Sequence, residues 1–189
     1  ILFKDQEVNP VLLERHRTNI ILTNLEEGYR RAIKDMHHIF DTQVQVSNFA
    51  SELLILVQDG AKTEKMLELG YSILGNPLFI LDTSLCLLHS EGAEPVEEDP
   101  VIEHLLSEGY MPEQFLEEVL KEENNAPSDY KTLIIWEKDF LKNRLIAGRI
   151  MRGNQLIGFL KMFERNRPIT DVFDIEIFKV LCQYVALSM

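Results

Sequence analysis

Long apolar runs are missing from this sequence. None approaches the ~20 residues that a membrane-spanning helix needs, and no secretory-type leader pattern is visible, so a cytoplasmic protein without membrane contact is expected. Thiols are scarce. Cys86 and Cys182 are the only cysteines among 189 residues, too few for a disulfide-stapled scaffold. Each sits inside an apolar pattern, so two buried free thiols are expected, although the sequence alone leaves their pairing open. Positive charge is scarce too. The 19 Lys and Arg face 31 Asp and Glu, for a formal net charge of −12. Duplex DNA is held largely through Lys and Arg on its phosphates, so this chain is not expected to grip DNA, or an anionic membrane surface, by itself.

Reactive constellations are also missing. No Gly-x-x-x-x-Gly-Lys phosphate loop, His-Glu-x-x-His, Cys-x-x-Cys or Gly-x-Ser-x-Gly occurs. His37 and His38 are adjacent, so on a helix they point about 100° apart and make a poor metal pair. The run "KDMHHIFD" around them lacks the Glu/Asp-Leu-Arg-x-Pro pattern that follows a phosphoacceptor histidine. Glu91, Glu94, Glu97, Glu98 and Asp99 crowd one loop, which reads as a solvated loop rather than a metal site. No catalytic residue, no metal and no cofactor is therefore predicted, and the chain is not expected to be an enzyme.

What is present is a chain able to bury a core, 46% hydrophobic and 26% charged. Ile1–Lys4 and Asn19–Thr23 read as short strands around a helix at Asn9–Arg17, with Pro10 at its first position. Three elements in so few residues cannot bury their own faces. Residues 1–24 are thus expected to be the remnant of an upstream domain, and the chain a piece of a longer protein. Leu25–Gln58 reads as helix, with one stripe of Tyr29, Ile33, Met36 and Phe40 and a second of Val46, Phe49, Leu53 and Leu56. The stripes are out of phase, so a stutter or a break is expected near Asp41–Gln45. Asp59-Gly60 ends the helix, making 25–60 a helical connector. Thr63 is expected to cap a helix over Glu64–Leu74.

The stretch "LELGYSILGNPLFILDTSLCLLHSEG", Leu67–Gly92, then changes period in its middle. Apolar residues at helical spacing give way at Gly75-Asn76-Pro77 to two short apolar runs, because Gly accepts the left-handed cap and Pro blocks resumption. Strands are expected at Leu78–Asp82 and Cys86–Ser90, short helices at Pro100–Glu108 and Pro112–Glu123, and a turn-rich connector at Asn124–Asp129. Further strands are expected at Thr132–Trp136, Arg144–Arg152 and Gln155–Glu164. Gly153-Asn154 forms a tight hairpin between the last two. Gly158 signals close packing or a bulge. A final helix follows Pro168, capped by Thr170 or Asp171, with Phe173, Ile177, Val180, Leu181, Tyr184 and Val185 on its buried side.

The Leu67–Gly92 stretch resembles the opening of the sensor domain of PucR-like (CdaR-related) bacterial transcriptional regulators, where a helix ends at Gly-Asn-Pro and a strand with an Asp-led turn follows. "AGRIMRGNQLIGFLKMFERNRPITDVFDIEIFKVL" resembles the closing hairpin and last helix of GAF-type domains, and "NIILTNLEEGYRRAIKDMHHIFD" the connector leading into that sensor domain. The resemblance covers most of Asn19–Met189. It implies an α+β, GAF-like sensor domain at 61–189, an antiparallel sheet flanked by helices and preceded by the helical connector. It also implies a helix-turn-helix C-terminal to the sensor domain and absent from these residues, through which alone DNA would be met. No catalytic residue comes with the resemblance.

On that arrangement Glu64–Leu74 and Asp171–Met189 cover one sheet face and Pro100–Glu123 the other, with space for an unknown small-molecule effector between sheet and excursion. His89, Tyr110, Trp136 and Arg149 are the polar or aromatic candidates for its wall. The leading expectation is a small-molecule-sensing, dimerising region of a transcriptional regulator. The alternatives are a GAF-type module of a signalling kinase or cyclic-nucleotide enzyme, and a purely structural dimerisation domain whose cavity is filled by Phe79, Trp136, Met151, Phe159 and Phe163. A homodimer is expected through the Tyr29–Phe40 stripe, because a two-fold partner hides an apolar patch with the same surface on both chains.

Overall fold

Gly75 turns the chain from helix to strand. Its φ of +66° places it in the left-handed region, and its N–H caps the helix on the carbonyl of Tyr71. That conformation is cheap for glycine alone. The computed structural model describes residues 2–3, 22–23, 26–94, 99–118, 133–137, 141–169 and 172–189. The expected Asn9–Arg17 helix, the end of the expected Pro112–Glu123 helix beyond 118, the Asn124–Asp129 connector and the Thr170 or Asp171 cap lie outside the described residues.

Two compact units are present, 1–45 and 46–189. In the first, β1 (Leu2–Phe3) and β2 (Leu22–Thr23) pair in parallel. Helix α1 runs unbroken over Glu26–Gln58, so the out-of-phase stripes produce neither stutter nor break. The second stripe explains why the units divide before the expected 60/61 boundary. Phe49 and Leu53 are fully buried among the side chains of the second unit's core, so this part of the connector belongs to the domain it was expected to lead into.

The second unit is an α+β fold built on a five-stranded antiparallel sheet. Its strands are β3 (Leu78–Leu81), β4 (Leu87–Glu91), β5 (Leu133–Trp136), β6 (Leu145–Arg152) and β7 (Gln155–Phe163), in the order β4-β3-β7-β6-β5. Helix α2 (Thr63–Leu74), helix α3 (Pro100–Glu108), a helical turn over 113–118 (α4) and helix α5 (Val172–Ser188) flank it. Strand alternation sends Leu78 and Ile80, Ile146 and Ile150, and Leu160 and Met162 to one face, where they meet Met66, Leu74, Phe178 and Leu181 of α2 and α5. Phe79, Leu81, Leu145 and Phe163 point to the opposite, distal face, against Val101, Ile102, Leu105 and Phe115. Two helices on one face and the excursion on the other is the arrangement expected from the sequence.

Gly158 fulfils both of its expected roles. A Cβ there would collide with the carbonyl oxygen of Leu81, so strands β3 and β7 could not close on any larger residue. The register with β6 also slips beside it, Ile150 facing Gly158 while Met151 faces Leu156. Two expectations are corrected. Thr63 is not the cap of α2: Lys62 holds the cap position, and Thr63 is the first helical residue, buried, its hydroxyl 3.2 Å from that of Ser188. Cys86 is exposed rather than buried; it precedes β4 in the turn where the Asp82 carboxylate accepts the N–H groups of Ser84 and Cys86.

Asn76 is completely buried. Its Oδ1 accepts the backbone N–H groups of Arg165, Asn166 and Arg167 at 3.1, 2.9 and 3.2 Å, and its Nδ2 donates to the carbonyl of Arg167 at 2.9 Å. Arg167 in turn donates to the carbonyl of Leu74 at the end of α2 and forks onto the buried carboxylate of Asp174 in the first turn of α5. The Gly-Asn-Pro stretch therefore launches the sheet and also fastens the β7–α5 connection to the end of α2.

Candidate functional site

Strand β7 reads Phe159-Leu160-Lys161-Met162-Phe163 at its inner end, and alternation places Lys161 with the two phenylalanines on the distal face. β7 is the central strand, so the lysine has no sheet edge over which to extend into water. Its side chain is 1% exposed. In register, Phe79 lies beside it on β3 and Ala147 on β6. Its Nζ lies 3.6 Å from the ring centroid of Phe115 in α4, a cation–π position. Among the described residues no carboxylate pairs with it. Burial in this apolar layer pushes its amine well below the ordinary lysine value, because desolvation penalises the charged form.

The cover over this layer is fixed by polar side chains. Asp99 is buried and caps α3, its Oδ1 accepting from Val101 N–H and Ile102 N–H at 3.2 and 3.3 Å. Its Oδ2 accepts from Asn143 Nδ2 at 3.0 Å, joining the start of α3 to the approach of β6. Replacing Asp99 with Ala removes a cap and this tie, and is expected to cost about 1–2 kcal/mol in urea unfolding; an unchanged midpoint would show that packing alone seats α3. On the same helix, Nε2 of His104 is buried and has no hydrogen-bond partner among the described residues, and its ring meets the Tyr110 ring edge-on at 5.0 Å.

Of the four residues predicted to line one wall, His89, Tyr110 and Arg149 stand in three separate places. His89 sits on β4 opposite Ile80, whose side chain belongs to the α2–α5 face, and its Nδ1 lies 3.5 Å from a carboxylate oxygen of Glu64 on α2. Tyr110 is 44% exposed at the end of α3, bridged through its backbone to Cys86. Arg149 lines a cleft of about 120 Å³ between β5, β6 and α5, with Leu133, Met151, Lys179, Cys182 and Gln183. Of Trp136 only the strand backbone is described; it pairs with Leu145. Lys161 was missed. The signal for it was a lysine at the inward parity of a strand whose neighbours are all apolar.

Among the described residues no group of His, Cys, Asp and Glu is placed to hold a metal, and no helix is long and apolar enough to cross a membrane. Compared with known proteins, the chain matches no family model and no curated protein.

Proposed function

We propose that this chain is the small-molecule-sensing and dimerisation region of a bacterial transcriptional regulator of the PucR-like kind, with DNA contacted by a part of the protein outside these residues. One observation supports sensing above all: the buried amine of Lys161, set in an apolar layer beneath a separate two-helix cover. A lone buried amine is costly for a purely structural core, and small-ligand sites are largely apolar with few polar groups. The competing structural reading draws on the same layer, because Phe79 and Phe163 pack edge to face at 5.4 Å and fill part of it. A thermal-shift screen against a metabolite library separates the two. Sensing predicts stabilisation by a small set of related compounds, and a filled structural core predicts none.

Dimerisation is supported by the first unit. Ile39, Phe40 and Val44 on α1 are 61, 69 and 57% exposed, three large apolar side chains close together on one helix. A second copy offering the same stripe would cover them symmetrically. The chain is expected to sediment as a dimer at tens of micromolar and Phe40→Glu as a monomer, the charge falling inside the seam. A monomeric parent chain, or a Phe40→Glu dimer, would remove this helix as the interface.

A further inference from the structure

The surroundings of Lys161 narrow the ligand class, on the reading that the distal layer is a sensing site. The row across the sheet steps from Phe79 through Lys161 to Ala147. It is bulky on one side of the lysine and steps down to a single methyl on the other, before the row reaches the β5 backbone at Ile134. The side chains around the row, Phe115, Leu145 and Phe163, offer no polar atom. Titratable groups exist on the covering elements: Asp99, Glu103, His104 and Glu108 of the α3 segment, and Glu113, Glu117 and Glu118 of α4. Asp99 is engaged by the α3 backbone and Asn143, and among the described residues none of the others forms an ion pair with Lys161. The site thus supplies one cation, one aromatic face and an apolar wall.

We infer that the layer binds a small amphiphilic anion, its carboxylate or phosphate against Lys161 Nζ and its apolar body against Phe115 on the Ala147 side. The anion would supply the counter-charge that the apolar layer withholds, and binding would restore the ammonium by favouring its charged form. A neutral ligand of the same shape would leave the amine as it is. Selectivity follows from chemistry rather than size, because a charge-assisted hydrogen bond in a water-poor layer is stronger than a neutral one.

The test uses the whole chain labelled with ¹³C at lysine Cε, with butyrate, butyl phosphate and butyramide as probes. The Lys161 signal is identified by its loss in Lys161→Met. In the free protein that signal is expected to titrate below the ordinary value. Butyrate or butyl phosphate should move it upward and raise the melting midpoint, whichever of the two does so identifying the acid, while butyramide should do neither. Lys161→Met should lose about tenfold or more in affinity for the anion. Lys161→Gln, should the Met variant fail to fold, should lose the preference for anion over amide in the same way. Equal binding of anion and amide, or undiminished anion binding in the variants, would overturn the inference while leaving sensing intact. An ordinary titration of Lys161 in the free protein, or silence toward all three probes, would overturn it as well, and the metabolite screen would then judge sensing by itself.

Discussion

Asn76→Ala is expected to cost about 4 kcal/mol of unfolding free energy, read as a lower urea midpoint with an unchanged slope. The side chain satisfies three backbone N–H groups and one backbone carbonyl from a completely buried position. Alanine leaves those groups without partners, and each costs roughly 1–3 kcal/mol where water cannot reach. The sum is held near the lower end because Asn166 is exposed and part of this turn can rehydrate. Asn76→Asp separates the two roles. Its carboxylate can still accept the three N–H groups but cannot donate to the Arg167 carbonyl, so a loss of about 1–2 kcal/mol is expected. If Asn76→Ala costs less than ~1 kcal/mol, Pro77 and Gly75 shape this junction and the amide merely occupies it.

Lys161→Met is expected to have the opposite sign. Methionine fills the apolar layer with similar length and no charge, and it removes the desolvation penalty that a buried ion carries. Part of that is offset by the lost contact with Phe115, so a gain of about 2 kcal/mol, roughly 4–8 °C in melting midpoint, is expected for a unit of this size. The pH dependence carries the sharper signature. Because the folded amine lies well below 10.5, the unfolded chain binds more protons between the folded value and 10.5, and stability rises with pH there. The penalty is complete below the folded value and vanishes above 10.5. Lys161→Met should therefore gain most at pH below the folded value and approach the parent chain as pH rises toward the ordinary lysine value. A variant less stable than the parent at neutral pH would mean that Lys161 is held by a favourable partner. A gain in stability joined to a loss of ligand response is the pattern of a residue kept for function at a cost to the fold.

The sheet was legible from the sequence because its signals are local. Gly75-Asn76-Pro77 and Gly153-Asn154 punctuate periodic runs, and alternation assigns faces without knowledge of what packs on them. The caps were less legible. Lys62 has no capping side chain, and Thr63 looked like a cap because its type favours that position, while its actual partner is Ser188 at the far end of the sequence. The site was least legible. His89, Tyr110 and Arg149 were chosen for their chemistry, and chemistry does not reveal the face on which a strand end or helix terminus leaves its side chain. Lys161 does not stand out in the sequence because a lysine in a strand is ordinarily at the surface. Only its parity, read together with the central position of β7, sends it inward. The threefold grip of Asn76 was illegible for the same reason: its partners, Arg165 to Arg167, stand about 90 residues away.

The two cysteines differ in a way that makes them a pair of clocks. Cys86 lies exposed in the β3–β4 turn, where a thiol reagent reaches it at once. Cys182 lies in α5 with its Sγ directly over Gly148 of β6, and burial pushes its thiol far above the ordinary value, so it is poorly reactive while helix and sheet stay together. It borders the cleft beside Arg149 by one edge only, so its modification is expected to be slow and to quicken when α5 parts from β6. The first reaction counts the molecules, and the second reports how often the last helix lifts away from the sheet.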